Sequence, residues 1–154
     1  MKNITMIAAV GKNLELGKDN DLIWHFKEDM KFFKENTINK PIVMGMKTLE
    51  SLPHLLPKRT HIVLTRQNKK LDNGIIIVHS VDELLDYIKR YDDEVMIIGG
   101  ASVYKEIILS SIPEISLVFF GTILGSNSPF LSLGVSNSKE PNSLFKFFLV
   151  VPFL

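Results

Sequence analysis

The chain has 154 residues, which is enough for one domain with a hydrophobic core, and we predict a single domain over residues 1–154. Its 18 basic and 17 acidic residues give a net charge of +1 without any block of like charge, which argues against a nucleic-acid or anionic-membrane surface. The lack of cysteine excludes disulfides, thiolate nucleophiles and cysteine metal sites, and it is compatible with a cytoplasmic protein. The apolar runs are shorter than the roughly 18–20 residues of a membrane span, and the histidines lack metal-ligand spacing, so we expect neither a membrane segment nor a metal site.

Short apolar runs alternate with amphipathic segments over the first 109 residues. The predicted strands cover residues 4–10, 41–45, 61–65, 75–79 and 95–100. The predicted helices cover part of 21–37 and then 46–52, 80–91 and 101–109, with a capping-box signature at Ser80 and Glu83. This alternation predicts an α/β fold with a largely parallel central sheet, which binds ligands beyond the carboxyl ends of its strands.

Asp29 occupies an unusual position on the first predicted helix. At about 100° per residue, Phe26, Met30 and Phe33 share one face. Asp29 falls between the directions of Phe33 and Phe32, away from the charged face. The helix dipole favours a first-turn carboxylate, but it does so equally well on the face exposed to water. A carboxylate directed at aromatic side chains needs a partner, and a planar pair of N–H donors would satisfy it, so Asp29 is a candidate ligand-binding residue.

Residues suited to anions follow three of the predicted strands. At Gly99-Gly100 the glycines let a ligand approach the backbone, and the next helix presents free N–H groups, although a tight turn is the alternative. A basic side chain and a hydroxyl are supplied both by residues 45–48 and by Thr65-Arg66. These groups suit an anion, and the alternative is that they simply face water. Two basic strand ends on one sheet edge would suit a doubly anionic dinucleotide. Arg59 either clamps a carboxylate in fork geometry or faces solvent.

In order and separation these motifs resemble bacterial dihydrofolate reductases. The resemblance rests on "MIAAVGKNLELGKDNDLIWHFKEDMKFFKENTINKPIVMGMKTLESL", "PKRTHIVLTRQ" and "VMIIGGASVYKE", and it covers about residues 4–109. It implies a three-layer α/β fold, with a mostly parallel sheet flanked by helices. It also implies NADPH-dependent reduction of 7,8-dihydrofolate to tetrahydrofolate in one-carbon metabolism, by a cytoplasmic monomer that trimethoprim inhibits.

The resemblance also implies roles in substrate binding and catalysis. Asp29 would hold the 2-amino group and N3 of the pterin and support protonation at N5 while hydride reaches C6. Leu22 and Trp24 would join it as catalytic residues, in and at the end of the loop that closes over the nicotinamide. Arg59 would hold the glutamate α-carboxylate. The implied substrate-binding positions are Ile7, Ala9, Asp29, Met30, Phe33, Leu52, Leu56, Arg59, Ile98 and Tyr104.

A second set of positions is implied for NADPH. Lys47 and Thr48 would meet the pyrophosphate, and Thr65 and Arg66 would bind the 2′-phosphate that distinguishes NADPH from NADH. Gly99-Gly100 matches a cis peptide bond of the family. The implied cofactor-binding positions are Ala9, Gly17, Asn20, Leu22, Gly45, Met46, Lys47, Thr48, Leu64, Thr65, Arg66, Ile98, Gly99, Gly100, Ala101, Ser102, Val103 and Tyr104.

The chain departs from the family's pattern at several points. Many relatives carry Arg at the position of Met46 and Pro at that of Ile23. Residues 110–154 do not align, contain only four charged residues, and reflect either a frameshift or real divergence. We therefore expect the antiparallel hairpin at the C-terminal edge to be altered or missing, with Thr122 as a stand-in for a pterin-contacting Thr. Loss of edge strands would lower stability and promote aggregation.

Two alternative functions remain open from the sequence. One is a pyrimidine reductase of riboflavin synthesis, which shares the fold and cofactor, although Asp29 and Arg59 argue against it. The other is a catalytically impaired chain derived from a dihydrofolate reductase, because the family's C-terminal pattern is absent. Antifolate binding separates the first alternative from the main hypothesis, and a thermal melt with and without NADPH tests the second.

Overall fold

The computed structural model describes residues 4–9, 27–71, 74–110, 114–120, 131–136 and 148–150. Its helices are α1 (Lys27–Thr37), α2 (Met46–Ser51), α3 (Val81–Ile88) and α4 (Ala101–Leu109). Its strands are β1 (Ile4–Ala9), β2 (Pro41–Gly45), β3 (Thr60–Leu64), β4 (Ile75–Val78), β5 (Val95–Gly99), β6 (Glu114–Phe120), β7 (Leu131–Ser136) and β8 (Phe148–Val150). Each strand and helix predicted before residue 110 is present, with its ends shifted by a few residues at most wherever both ends are described.

The strands form one sheet in the order β4-β3-β2-β5-β1-β6-β7-β8. Pairing is parallel from β4 across to β6. Strand β2 shows why the sequence favours this arrangement, because its residues Pro41 to Met44 are all buried and a parallel strand is covered on both faces. The α/β fold with a mostly parallel central sheet, predicted from the alternation of elements, is confirmed.

The region after residue 110 contributes backbone to the sheet. Strand β6 pairs in parallel with β1 over six positions, from Ile4 opposite Ile115 to Ala9 opposite Phe120. Strands β7 and β8 then add antiparallel pairs. An antiparallel edge, which includes β7 and the short β8, is thus present where the sequence departs from the family's pattern. Thr122 lies outside the described residues.

Helices cover both faces of the sheet because each presents an apolar side to the strands. Buried residues of α3 and α4 pack on one face: Leu84, Ile88, Val103 and Ile107. The opposite face packs against α1, α2 and the loop that follows, through Phe32, Phe33, Met46, Leu49, Leu52 and Leu56. Of the helices in the described part of the chain, none is long and apolar enough to cross a membrane.

A polar cluster fastens the amino ends of the central strands. Lys40, just before β2, donates from Nζ to Glu94 Oε2 at 2.6 Å, and the Thr5 hydroxyl of β1 donates to Glu94 Oε1. Burial raises the pKa of Glu94, but the hydrogen bonds from Lys40 and Thr5 outweigh it and hold that pKa below its ordinary value. The ionised carboxylate therefore links three strands at the edge opposite the candidate site.

Candidate active site

The carboxyl ends of the parallel strands bring the predicted anion-binding segments together. In the register of the sheet, Gly45 lies opposite Leu64, and Leu64 lies opposite Val78. On the other side of β2, Met44 lies opposite Gly99. The segments that leave β2, β3, β4 and β5 therefore emerge side by side at one edge.

Two helices that begin at this edge have glycine N-caps. Among the described residues, no side chain caps α2 at Gly45 or α4 at Gly100. Helix α3 differs, because Ser80 Oγ accepts a hydrogen bond from the Glu83 amide at 3.1 Å and the Glu83 carboxylate accepts one from the His79 amide at 2.7 Å. The predicted N-cap at Ser80 is thus confirmed, whereas the Glu83 carboxylate bonds the amide of His79 rather than that of Ser80. Within the part of the chain that the structure describes, α4 thus begins without a side-chain cap, and its first N–H groups are candidates for binding an anion.

Neighbouring side chains lie close to two glycines of this edge. A Cβ placed on Gly45 would lie 3.1 Å from Val103 Cγ2, and one on Gly100 would lie 3.3 Å from Thr48 Oγ1. Gly99 has a φ of +131°, which L side chains rarely adopt, and its peptide bond to Gly100 is cis, as the resemblance implies. The two glycines therefore let the starts of α2 and α4 pack closely against each other.

Tyr104 connects this glycine edge to strand β1. Its hydroxyl donates to the carbonyl oxygen of Ile7 at 2.8 Å, and a Cβ on Gly99 would lie 3.4 Å from that hydroxyl. Burial raises the pKa of Tyr104, so the phenol stays protonated and acts as a donor. The hydrogen bond holds α4 against the carboxyl end of β1.

A cavity of about 430 Å³ opens between the ends of β3 and β4 and helix α4. It is lined by Leu64, Thr65, Arg66, Gln67, His79, Ser102, Val103, Lys105, Glu106 and Leu109. The Thr65 hydroxyl accepts from the Gln67 amide at 3.2 Å, and the Thr65 carbonyl contacts His79 Nδ1 at 2.7 Å. Arg66 Nη2 lies 2.5 Å from Glu106 Oε1. The predicted Thr65-Arg66 segment therefore lines a cavity together with Ser102 and Val103 of α4.

Apolar residues predicted to contact a substrate meet on the α1 face of the sheet. Five of them belong to one packed cluster: Ile7, Phe33, Leu52, Leu56 and Ile98. Met30 is not part of this cluster, and 51% of its surface is exposed. Ile98 directly precedes the Gly99-Gly100 pair, so one strand supplies both the apolar wall and the glycine edge.

Arg59 is held in place at the end of this apolar wall. Its Nε donates to Thr37 Oγ1 at 3.0 Å, one Nη donates to the Pro57 carbonyl at 2.9 Å, and the other contacts the Lys34 carbonyl at 3.5 Å. Partial burial lowers the pKa of Arg59, which nevertheless remains a cation at neutral pH. Within the described residues these bonds use three of the five N–H donors of the guanidinium, which leaves two for a carboxylate.

Several predicted site residues lie wholly or partly outside the described residues. Gly17, Asn20, Leu22 and Trp24 are not described. Ala9 and Asp29 are described as backbone only, Ala9 at the end of β1 and Asp29 in the first turn of α1. The remaining predicted positions of α2 and α4 lie at the carboxyl edge: Met46 is buried, Lys47 is exposed, Thr48 is half-buried and Ala101 is exposed.

The sequence analysis missed two side chains that the structure brings to the site. Glu106 follows Ser102 by four residues on α4. Because positions four apart share a helix face, this spacing predicts that Glu106 lies on the same side of α4 as Ser102. His61 is 4% exposed on β3, and its Nε2 accepts from the Leu56 amide at 3.0 Å. No sequence motif signals that second contact, because a buried histidine in an apolar strand looks like any other strand residue.

Comparison with known proteins places these features in a family. The model of the family "Dihydrofolate reductase" matches residues 3–117. Dihydrofolate reductases from Buchnera aphidicola subsp. Baizongia pistaciae and Haemophilus influenzae are 38% and 40% identical to the chain over 71% and 66% of its length. The matches cover 66% and 62% of those two relatives, which is less than two thirds of their length.

Two further relatives are matched over more of their length. Dihydrofolate reductase type 3 from Salmonella typhimurium is 36% identical over 85% of this chain and 82% of its own. A solved dihydrofolate reductase from Enterococcus faecalis, complexed with NADP(H) and RAB-propyl, superimposes with a TM-score of 0.68 at 33% identity, over 83% of this chain and 76% of that one. The chain belongs to the dihydrofolate reductase family.

Proposed function

We propose that this chain reduces 7,8-dihydrofolate to 5,6,7,8-tetrahydrofolate with NADPH as the reductant. The observation that carries the proposal is the continuity of β5, where Ile98 packs in the apolar wall and Gly99-Gly100 begins the glycine edge. A flat aromatic substrate against that wall and a dinucleotide on that edge would meet at one strand. Family membership supports the same reading.

The glycine edge and the adjoining cavity suit NADPH. The N–H groups at the start of α4, with Lys47 and Thr48, are available to the pyrophosphate. Thr65 and Arg66 line a cavity into which the adenosine 2′-phosphate would fit. When bound, NADPH supplies the hydride that reduces C6 of the pterin. The walls around the ligand would be formed by Gly45, Met46, Leu64, Ala101 and Val103. The solved relative from Enterococcus faecalis contains NADP(H).

The opposite side of β5 suits the folate. Ile7 and Ile98 would cover the pterin ring, while Phe33, Leu52 and Leu56 would pack against the aminobenzoyl ring. Arg59 retains two N–H donors in a fixed orientation, which suits bidentate binding of the glutamate α-carboxylate. An arginine held by three oxygen acceptors loses little further side-chain freedom when the carboxylate binds.

We assign the proton-handling role to Asp29. It lies in the first turn of α1, the helix whose Phe33 packs in the apolar wall. A carboxylate there would accept both N–H groups of the pterin 2-amino and N3 edge, which fixes the ring with C6 toward the nicotinamide. It would also favour protonation at N5, through water, as hydride adds to C6. From the resemblance, we propose Leu22 and Trp24 as further catalytic residues that act next to the nicotinamide.

The proposal is tested by following NADPH oxidation by the purified chain with dihydrofolate, with and without trimethoprim. We expect turnover that trimethoprim abolishes. A folded chain that binds NADPH without turning over dihydrofolate would instead be an impaired derivative of the family. Binding of NADPH without any affinity for trimethoprim would favour the pyrimidine reductase alternative.

We propose further that the chain acts as a single-domain monomer in the cytoplasm, without a nucleic-acid partner or a bound metal. Its near-neutral net charge of +1 supports the lack of a nucleic-acid partner. Sedimentation equilibrium with and without NADPH tests the oligomeric state. A dimer under both conditions would contradict the proposal.

A further inference from the structure

Arg66, the residue proposed to bind the 2′-phosphate of NADPH, already forms an ion pair with the carboxylate of Glu106. Arg66 Nη2 lies 2.5 Å from Glu106 Oε1, within the distance of a charge-assisted hydrogen bond. Both side chains line the cavity between β3 and α4, together with Thr65. Their exposed fractions are 86% and 40%, so the pair is solvated and can be broken at little cost. Any anion that binds Arg66 there must displace Glu106 or share the guanidinium with it.

We propose that Glu106 is a specificity-determining residue that competes with the 2′-phosphate for Arg66 and so weakens the preference for NADPH over NADH. This inference rests on the proposed function. The phosphate brings a charge of about −1.5 to −2 next to a carboxylate, and the two like charges repel. NADH has a ribose 2′-hydroxyl at the same place, which donates a hydrogen bond that a carboxylate accepts. Glu106 therefore penalises one cofactor and accommodates the other.

The cations of the cavity explain why NADPH still binds. Lys105 precedes Glu106 on α4 and also lines the cavity, so the phosphate meets two cations and one carboxylate. The penalty is then partial, because solvent screens an exposed pair and Arg66 can turn from the carboxylate to the phosphate. We expect removal of the Glu106 charge to tighten NADPH binding about three- to tenfold.

A double-mutant cycle tests the inference by calorimetric titration of the full chain. The proteins are the unmodified chain, Glu106→Gln, Arg66→Gln and the double variant. The ligands are NADPH and NADH, with adenosine 2′,5′-bisphosphate and adenosine 5′-phosphate as probes that differ only in the 2′-phosphate. We expect Glu106→Gln to tighten NADPH and the bisphosphate and to leave NADH unchanged or weaker. When Arg66 is already replaced, the gain should be smaller, because the competition for Arg66 is gone and only the direct repulsion between Glu106 and the phosphate remains.

Asp86→Asn serves as the charge control, because Asp86 is an exposed carboxylate paired with Lys89 at 2.9 Å on α3. An equal gain for both cofactors, a gain of undiminished size without Arg66, or the same gain in Asp86→Asn would overturn the role of Glu106 and leave the proposed function standing. A folded, unmodified chain that binds neither dinucleotide would overturn the proposed function and this inference with it. Thermal melts of all variants establish that each is folded.

Discussion

Thr37 at the end of α1 holds the guanidinium of Arg59 in a fixed orientation. The Thr37 hydroxyl is fully buried, accepts from Arg59 Nε at 3.0 Å, and donates to the Phe33 carbonyl at 2.7 Å. The same helix that carries Phe33 of the apolar wall thus positions the arginine proposed for the substrate carboxylate. The aminobenzoyl ring and the glutamate carboxylate of the folate would therefore contact one rigid unit.

Replacing Thr37 by Val keeps the shape of the side chain and removes both hydrogen bonds. We expect KM for dihydrofolate to rise about tenfold with a much smaller change in kcat, because the Arg59 guanidinium loses its orientation but not its charge. The free energy of unfolding should fall by about 1 kcal/mol. Steady-state kinetics and urea titration measure the two effects, and Thr37→Ser should restore both. A change in kcat alone would contradict the positioning role.

Asp29→Asn tests the assigned proton-handling role. The amide still presents a hydrogen-bonding group but no negative charge, so turnover should fall on the order of 10²- to 10³-fold while NADPH affinity stays nearly the same. Glu35→Gln is the matched control, since Glu35 is an exposed carboxylate of the same helix paired with Lys31 at 3.8 Å. Unchanged turnover in Asp29→Asn would remove Asp29 from the mechanism.

Arg66→Ala tests the proposed 2′-phosphate site. The variant should weaken NADPH more than NADH, because only NADPH carries the phosphate that Arg66 would bind. Lys69→Ala removes a similar surface cation, which pairs with Glu50 at 2.7 Å, and should affect neither cofactor. Equal weakening of NADPH and NADH in Arg66→Ala would assign Arg66 a structural role.

The sequence predicted the sheet well because its signals are local. Apolar runs such as residues 41–45 and the Ser80 N-cap depend on neighbours in the chain, and both appear in the structure as predicted. The same holds for the Gly99-Gly100 turn, where strand and helix meet. Parallel topology then placed the strand ends at one edge without further information.

Long-range side-chain pairs escaped the sequence analysis. Arg66 and Glu106 are 40 positions apart, and Arg59 and Thr37 are 22 apart, so no periodic pattern connects them. Arg66 alone predicts a phosphate site, whereas its carboxylate partner depends on how α4 crosses the sheet. The roles of Gly17, Asn20, Leu22 and Trp24 remain predictions from the resemblance, because these residues lie outside the described ranges.

Gly45→Ala tests the close approach between α2 and α4. The added Cβ would lie 3.1 Å from Val103 Cγ2, so the helices must separate slightly, and we expect a loss of about 1–3 kcal/mol of stability and weaker NADPH binding. Val103→Ala creates room at the same contact. The double variant should therefore be less destabilised than the sum of the single ones, as measured by denaturant unfolding. Strict additivity would show that the contact is not tight.

His61 makes stability depend on pH in a definite direction. Burial is the main cause that lowers the pKa of His61, and the neutral ring accepts the Leu56 amide at Nε2. The unfolded chain therefore binds a proton more readily than the folded one, so this contribution is complete above the unfolded pKa of about 6.5 and is lost as pH falls through the lower folded value. The free energy of unfolding should decrease as the pH is lowered from about 8 to about 5. In His61→Gln, the dependence of this free energy on pH should be weaker. His54→Gln, at an exposed histidine, is the control for the loss of a histidine side chain. Because Leu56 belongs to the apolar wall, folate binding should also weaken at acid pH. If His61→Gln leaves the pH dependence of the unfolding free energy unchanged, another group is responsible for the acid sensitivity.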